Sequence, residues 1–203
     1  MTDHFVLLAA AMLIVAFLYS SVGHAGASGY IAVLTLFGLG IEQVRPTALA
    51  LNIVVAVIGS WQWWRAGHFR WALFWPFALL SVPAAFFFGG FQIPAPVLKP
   101  LLGVVLVFSS VRLLLRKRDP VFTNPPPKST ALASGALIGV LSGLTGTGGG
   151  IFLTPLLLFK KWAKAKEAAA TSALFILVNS LAGLTGHLGA GRPFPEIAWI
   201  LAG

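Results

Sequence analysis

Ser21-Val-Gly-His-Ala-Gly-Ala-Ser-Gly-Tyr30 interrupts an oily N-terminal stretch with three glycines and a histidine. A second cluster, Thr145-Gly-Thr-Gly-Gly-Gly150, interrupts a later one. A membrane-crossing helix needs roughly 20 residues at about 1.5 Å each to cover about 30 Å of hydrocarbon. By that measure Phe5–Ile41 is too long for one crossing, and Thr130–Phe159 is too short for two. Each is therefore expected to be a helix broken at its glycines.

The surrounding composition makes the membrane the right ruler. Of 203 residues, 58% are hydrophobic and 9% charged, against about 25% charged in soluble domains. Mean hydropathy is +0.90. The net charge of +9 comes from 14 Lys and Arg against 5 Asp and Glu. These basic residues sit between apolar runs, so they read as topology signals and no nucleic-acid partner is expected. With no cysteine, disulfides, thiolate metal sites and thiol nucleophiles are excluded. The first apolar run, Phe5–Val22, follows Met-Thr-Asp-His without Lys or Arg and precedes no A-x-A-like cleavage site, so it reads as structure and not as a secretory signal.

Four segments fit full crossings: Thr47–Trp64, Trp71–Phe91, Val97–Leu115 and Ala168–His187. Arg116–Ser129, with its charges and three consecutive prolines, reads as a surface linker. Two similar halves flank it. Gly26-Ala-Ser-Gly29 recurs as Gly146-Thr-Gly-Gly149, Ala50-Leu-Asn52 as Ala170-Thr-Ser172, and Gly67-His68 as Gly186-His187, in the same order and at nearly constant offset. The expected organisation is a first repeat over residues 1–115, a cytoplasmic linker over 116–129, and a second repeat over 130–203. Pro195 opens a ninth apolar segment too short to span before Gly203, so the second repeat is expected to be cut short.

Charge decides what the broken segments do. If each crossed the membrane once, the basic residues would divide almost evenly between the two sides. If each enters and returns to its starting side, Arg45, Lys99 and Arg192 lie on one face and all other Lys and Arg on the opposite one. The second arrangement obeys the positive-inside rule. It also leaves an odd number of crossings in the first repeat, so the second is inverted. The expected fold is thus all-α: a polytopic membrane protein of two inverted repeats, each opening with a glycine-broken re-entrant helix pair, with the N-terminus outside.

A helix broken inside a membrane frees backbone groups that protein, water or ligand must satisfy. New half-helices starting near Ala27 and Gly148 would aim their unpaired N–H groups and positive dipole ends at the midplane, where they suit an anion. The candidate binding residues are His24, Gly26, Ala27, Ser28, Gly29 and Tyr30 at the first break, and Thr145, Thr147, Gly148, Gly149 and Gly150 at the second. Asn52 and Ser172, with Thr171, Asn179 and Ser180, lie in the following spans and can cap freed backbone or touch substrate. His24 is also the candidate for a coupled proton. Gly135, Gly139 and Gly143, spaced by four, read as a helix-packing face. The second glycine cluster lacks the Lys-Ser/Thr ending of a phosphate-binding P-loop. His68 and His187 are expected at the membrane interface, and Trp61, Trp63, Trp64, Trp71 and Trp75 in an interfacial belt.

SVGHAGASGYIAVLTLFG, RPTALALNIVVA, SGLTGTGGGIFLTPLLL and ATSALFILVNSLAGL resemble the repeated signatures of the sulfite exporter TauE/SafE family of membrane permeases, over nearly the whole chain and in order. The resemblance implies secondary transport of small sulfur-containing anions, such as sulfite or organosulfonates, across a bacterial inner membrane. It also implies about eight membrane segments, more than this chain accommodates. The reading is a secondary transporter, with an anion channel on the same site as the alternative; basic rings that would favour a channel are missing from the span interiors as drawn above. An enzyme is not expected, since no paired carboxylates, thiol or Ser-His-Asp set lies at membrane depth. No cofactor or metal is expected. The partners are the small anion, the lipid bilayer and, left open, further copies of the chain.

Overall fold

The computed structural model describes residues 2–21, 26–91, 96–97, 100, 103–104, 107 and 123–202. His24, most of the span expected at Val97–Leu115 and most of the linker lie outside the described residues. Eight helices are described: α1 Thr2–Ser21, α2 Ala27–Leu36, α3 Ile41–Arg65, α4 Trp71–Gly89, α5 Lys128–Thr145, α6 Gly150–Phe159, α7 Ala165–Gly189 and α8 Glu196–Ala202. No strand occurs among the described residues. Three of these helices, α3, α4 and α7, are long and apolar enough to cross a membrane, and the chain is a membrane protein.

Element lengths recur along the chain. A ten-residue helix capped by a left-handed glycine is followed by a 25-residue helix in both halves: α2 then α3, and α6 then α7. The structural register differs from the motif register. Gly26 caps α2 as Gly149, not Gly146, caps α6. Small residues make glycine pairs align easily by eye, whereas the start of a helix is set by where the backbone can turn.

Contacts give the directions. Leu49 and Asn52 of α3 face Gly183 and Ser180 of α7, while Gly59 faces Ala173, so the two long helices run antiparallel. On α5, Gly135, Gly139 and Gly143 face Phe77, Ser81 and Ala85 of α4 in rising order, so these two run parallel. The glycines bring backbone onto backbone: a Cβ at Gly135 or Gly139 would collide with the carbonyl of Phe77 or Ser81. This is the small-residue face read from the sequence. Gly186 meets the Phe86 carbonyl in the same way, joining α7 to α4.

The second broken segment turns back. Gly150 faces Ile176 and the Thr154 hydroxyl donates to Ser172 Oγ at 2.7 Å, so α6 runs antiparallel to α7. The Asn124 N–H, before α5, donates to the Lys161 carbonyl, just after α6, at 3.2 Å. The chain therefore enters α5 and leaves α6 at the same end. Arg70 and Glu167 pair there at 3.3 Å, which puts Arg65, Arg70, Lys128, Lys160, Lys161, Lys164 and Lys166 together. Arg45 and Arg192 lie at the other end.

Two apolar clusters flank the α3–α7 pair. One joins Phe77 of α4, Ile138 of α5, Leu153 and Leu157 of α6 and Phe175 of α7. The other joins Leu8 and Met12 of α1, Tyr30 and Leu34 of α2, and Val44 and Leu51 of α3, with Ile197 and Leu201 of α8 against it. Trp61, Trp64, Trp71 and Trp75 are exposed near the 66–70 turn, as an interfacial belt requires. His187 lies in the last turn of α7 and is buried, with Nε2 3.4 Å from the Pro193 carbonyl, because the loop after α7 folds back over the helix end.

Gly139→Val should lower thermal stability in detergent by about 1–3 kcal/mol or more, the cost of overpacking a tight contact. Gly189→Ala, where an added Cβ meets nothing within 4 Å, should stay within about 0.5 kcal/mol of wild type. Melting followed by tryptophan fluorescence compares the two.

Candidate functional site

Helix α6 spans ten residues, about 15 Å at 1.5 Å per residue, or half a bilayer core of about 30 Å. Its start is set by Gly148 at φ 71° and Gly149 at φ 81°, two successive left-handed residues that only glycine adopts without strain. Neither has room for a side chain. A Cβ at Gly148 would lie 2.6 Å from Ser180 Oγ and 3.1 Å from Asn52 Nδ2, and one at Gly149 would lie 2.8 Å from the Phe175 ring. Asn52 lies halfway along α3 and Ser180 a little past halfway along α7, so α6 begins at mid-depth. The first N–H groups of a helix have no partner within it and carry its positive dipole end.

The walls around this start are polar and buried. Asn52, Ser142, Thr145, Thr171, Ser172, Asn179 and Ser180 are fully buried. Several are satisfied: Ser81 donates to Asn179 Oδ1 at 2.6 Å, Asn179 Nδ2 donates to the Phe175 carbonyl at 2.9 Å, and Thr145 donates to the Leu141 carbonyl at 2.7 Å with Thr147 Oγ1 2.9 Å away. Asn52 is not. Its Nδ2 reaches Ser180 Oγ only at 3.5 Å and its Oδ1 is buried without a partner among the described residues. Turning the amide over lets Ser180 donate to the oxygen and frees the NH2 as a donor, an exchange the two ends of an amide allow. The Ser142, Thr47 and Thr171 hydroxyls are also buried without partners among the described residues.

Arg45 was expected with the topology charges at a surface face, outside the span interiors. The structure buries it, at 4% exposure, because α3 begins at Ile41 and includes it. Its Nη1 donates to the Phe91 carbonyl at 2.8 Å, and its Nη2 to those of Gly143 at 2.6 Å and Gly89 at 3.4 Å. One guanidinium thus caps the C-terminal ends of both α4 and α5, where unpaired carbonyls and the negative dipole end favour a cation. Gly146 packs on its stem, with a Cβ there meeting Arg45 Cβ at 3.3 Å. The available signal was helical spacing, since Arg45 and Asn52 are seven apart and share the face of α3 toward α7.

The first break is held differently. Gly26, at φ 90°, caps α2 with the Tyr30 ring against it. The Ser28 hydroxyl donates to Tyr19 Oη at 3.1 Å, and Gly29 faces Val15 and Tyr19 of α1. Ala27 and Tyr30 are buried, and Tyr30 Oη has no partner among the described residues. Of the residues nominated from sequence, Asn52, Gly148, Gly149 and Gly150 come together at the α6 start, with Thr145 and Thr147 in the approach. Ser172 lies a turn further along, on Thr154. Residues 26–30 contact α1 and one another, and Tyr30 also joins the apolar cluster with Val44 and Leu51 of α3.

The sequence profile of the sulfite exporter TauE/SafE family matches residues 8–203. The chain belongs to the sulfite exporter TauE/SafE family. A protein of Sinorhizobium fredii named "Probable membrane transporter protein y4hK" is 43% identical over 202 residues, covering 96% of this chain and 82% of that one. One of Methanocaldococcus jannaschii, "Probable membrane transporter protein MJ0441", is 26% identical over 160 residues, covering 76% and 60% respectively. No solved structure matches. Membership places this TauE/SafE chain among membrane transporters and not among enzymes.

Arg45→Leu should destabilise the protein by on the order of 3 kcal/mol, since it strands buried carbonyls that accept from a charged donor. Arg70→Gln, which removes a half-exposed ion pair, should cost under about 1 kcal/mol. Thermal melting in detergent distinguishes them.

Proposed function

We propose that this TauE/SafE chain is a secondary transporter that carries a small sulfur-containing anion, sulfite or an organosulfonate, across a bacterial inner membrane. The observation that carries the reading is the start of α6 at mid-depth between α3 and α7, with Gly148 against Ser180 and the unsatisfied Asn52. Successive glycine N–H groups in left-handed geometry form an anion-binding concavity, and the helix dipole adds to it. Gly148, Gly149 and Gly150 supply backbone donors, Asn52 and Ser180 supply side-chain donors, and Thr145 and Thr147 line the approach.

Two inverted repeats support alternating access. The equivalent long helices α3 and α7 run antiparallel, each after a glycine-capped half-helix, and the α5–α6 segment returns to its starting end. The first break, with Gly26, Ala27, Ser28, Gly29 and Tyr30, is the symmetry partner of the second, and rocking of one repeat against the other exposes the anion to each side in turn. The lysine-rich end faces the cytoplasm by the positive-inside rule, which leaves the N-terminus outside. His24 is the residue for a coupled proton.

In proteoliposomes, the protein should move sulfite down an imposed gradient, and Gly148→Ala, reconstituted from the fraction that gel filtration shows to be folded, should abolish transport. Lys160→Gln, at the exposed basic end, should transport at the wild-type rate. Sulfite flux in Gly148→Ala equal to wild type would remove the site from α6. If His24→Gln leaves the pH dependence of flux unchanged, the proton is not carried there.

A further inference from the structure

Three side chains from two helices converge on one point beside the start of α6. A Cβ at Gly148 would lie 2.6 Å from Ser180 Oγ, 3.1 Å from Asn52 Nδ2 and 2.9 Å from Ile176 Cγ2. Two of the three are polar and belong to the proposed anion site. The third is a methyl group, which has nothing to donate. Ile176 is buried, shares an apolar cluster with Ala56 of α3, and also lays its Cδ1 against Gly150.

The repetition of elements does not require this wall to be apolar. Counted from the first residue of each helix, Ile176 holds in α7 the place that Asn52 holds in α3, and Ser180 the place of Ala56. About one turn along α3 and one turn back along α7 lead from the polar pair Asn52–Ser180 to the apolar pair Ala56–Ile176. Matching places thus carry an amide in one helix and a branched hydrocarbon in the other, and the site is polar on one side and oily on the next.

An anion at the start of α6 meets donors from Gly148, Asn52 and Ser180, but an oxygen turned toward Ile176 would be buried without one, which is costly. A carbon substituent suffers no such loss there, but its room is set by Cγ2. That methyl cannot swing aside freely, because a β-branched side chain in a helix is held largely in one χ1 rotamer. A stiff apolar wall beside polar donors therefore measures whatever substituent the oxyanion carries.

We infer that Ile176 is a specificity-determining residue of the α6 site: its Cγ2 faces the side of the anion that bears no oxygen and limits the size of the group carried there. The inference rests on the α6 reading. The ligand class it selects is an oxyanion with at most a small apolar substituent.

Methanesulfonate and propanesulfonate are the probes, titrated by calorimetry into the full chain in detergent against matched empty micelles. Wild type, Ile176→Ala, Ile176→Leu and Asn52→Ala are compared, each from the fraction that gel filtration shows to be folded. Wild type should bind methanesulfonate more tightly. In Ile176→Ala the affinity for propanesulfonate relative to methanesulfonate should rise about tenfold or more, the effect of admitting a methylene to an apolar pocket. Ile176→Leu keeps the volume of the core, which protects the fold, and, having no branch at Cβ, should move the ratio the same way. A loosened fold would weaken both ligands together and leave their ratio alone. An unchanged ratio in the folded Ile176 variants, with binding weakened in Asn52→Ala, therefore overturns the role of Ile176 and sustains the α6 site. Binding of both ligands by Asn52→Ala as tightly as by wild type overturns the α6 reading and this inference with it, and so does the absence of binding by folded wild type.

Discussion

The guanidinium of Arg45 holds the carbonyl ends of α4 and α5 from within α3, and much of the site's geometry follows from that. A cation is costly inside an apolar bundle unless its donors are used and opposite charge is near. Two helix C-termini meet both needs with partial charges that come from backbone alone. The arrangement ties residues distant in sequence, on both sides of the linker. By fixing where α5 ends, it fixes where the 145–150 loop begins.

From that anchor the loop has little choice of path. The tight seam of α5 on α4, glycine backbone against backbone carbonyl, sets the height of α5 to within a turn. Gly148 then reaches Asn52 and Ser180, and α6 starts at mid-depth and runs back along α7. The polar lining looks wasteful in a membrane protein until this is considered. A broken helix needs partners at its break, and buried serine, threonine and asparagine side chains can supply some of them. The unsatisfied Asn52 amide and the crowded glycines are two consequences of one close approach.

Much of this was legible in the chain. Segments of the wrong length cut by glycine announce breaks, because crossing length is set by the bilayer and not by the protein. Gly135, Gly139 and Gly143 announce a packing face because a four-residue step returns to nearly the same side of a helix. The charge distribution suggests which ends share a side of the membrane; within the protein, Arg70 pairs with Glu167 and the Asn124 N–H donates to the Lys161 carbonyl. The motif offset was less faithful: Gly26 corresponds to Gly149 as a cap, since glycine-rich strings align in more than one register while only one register starts a helix.

Helix content and the glycine-set helix starts were thus determined by the sequence itself, through local rules of length, spacing and backbone freedom. Which residues meet was decided only in three dimensions. Arg45 reads as one more flanking charge until the ends of α4 and α5 arrive to take its hydrogen bonds. The sequence does not tell that the loop after α7 closes over His187, and Ser180 reads as a backbone cap until Gly148 is pressed against it. Burial and partnership belong to pairs of distant segments, and no local pattern encodes the far member of a pair.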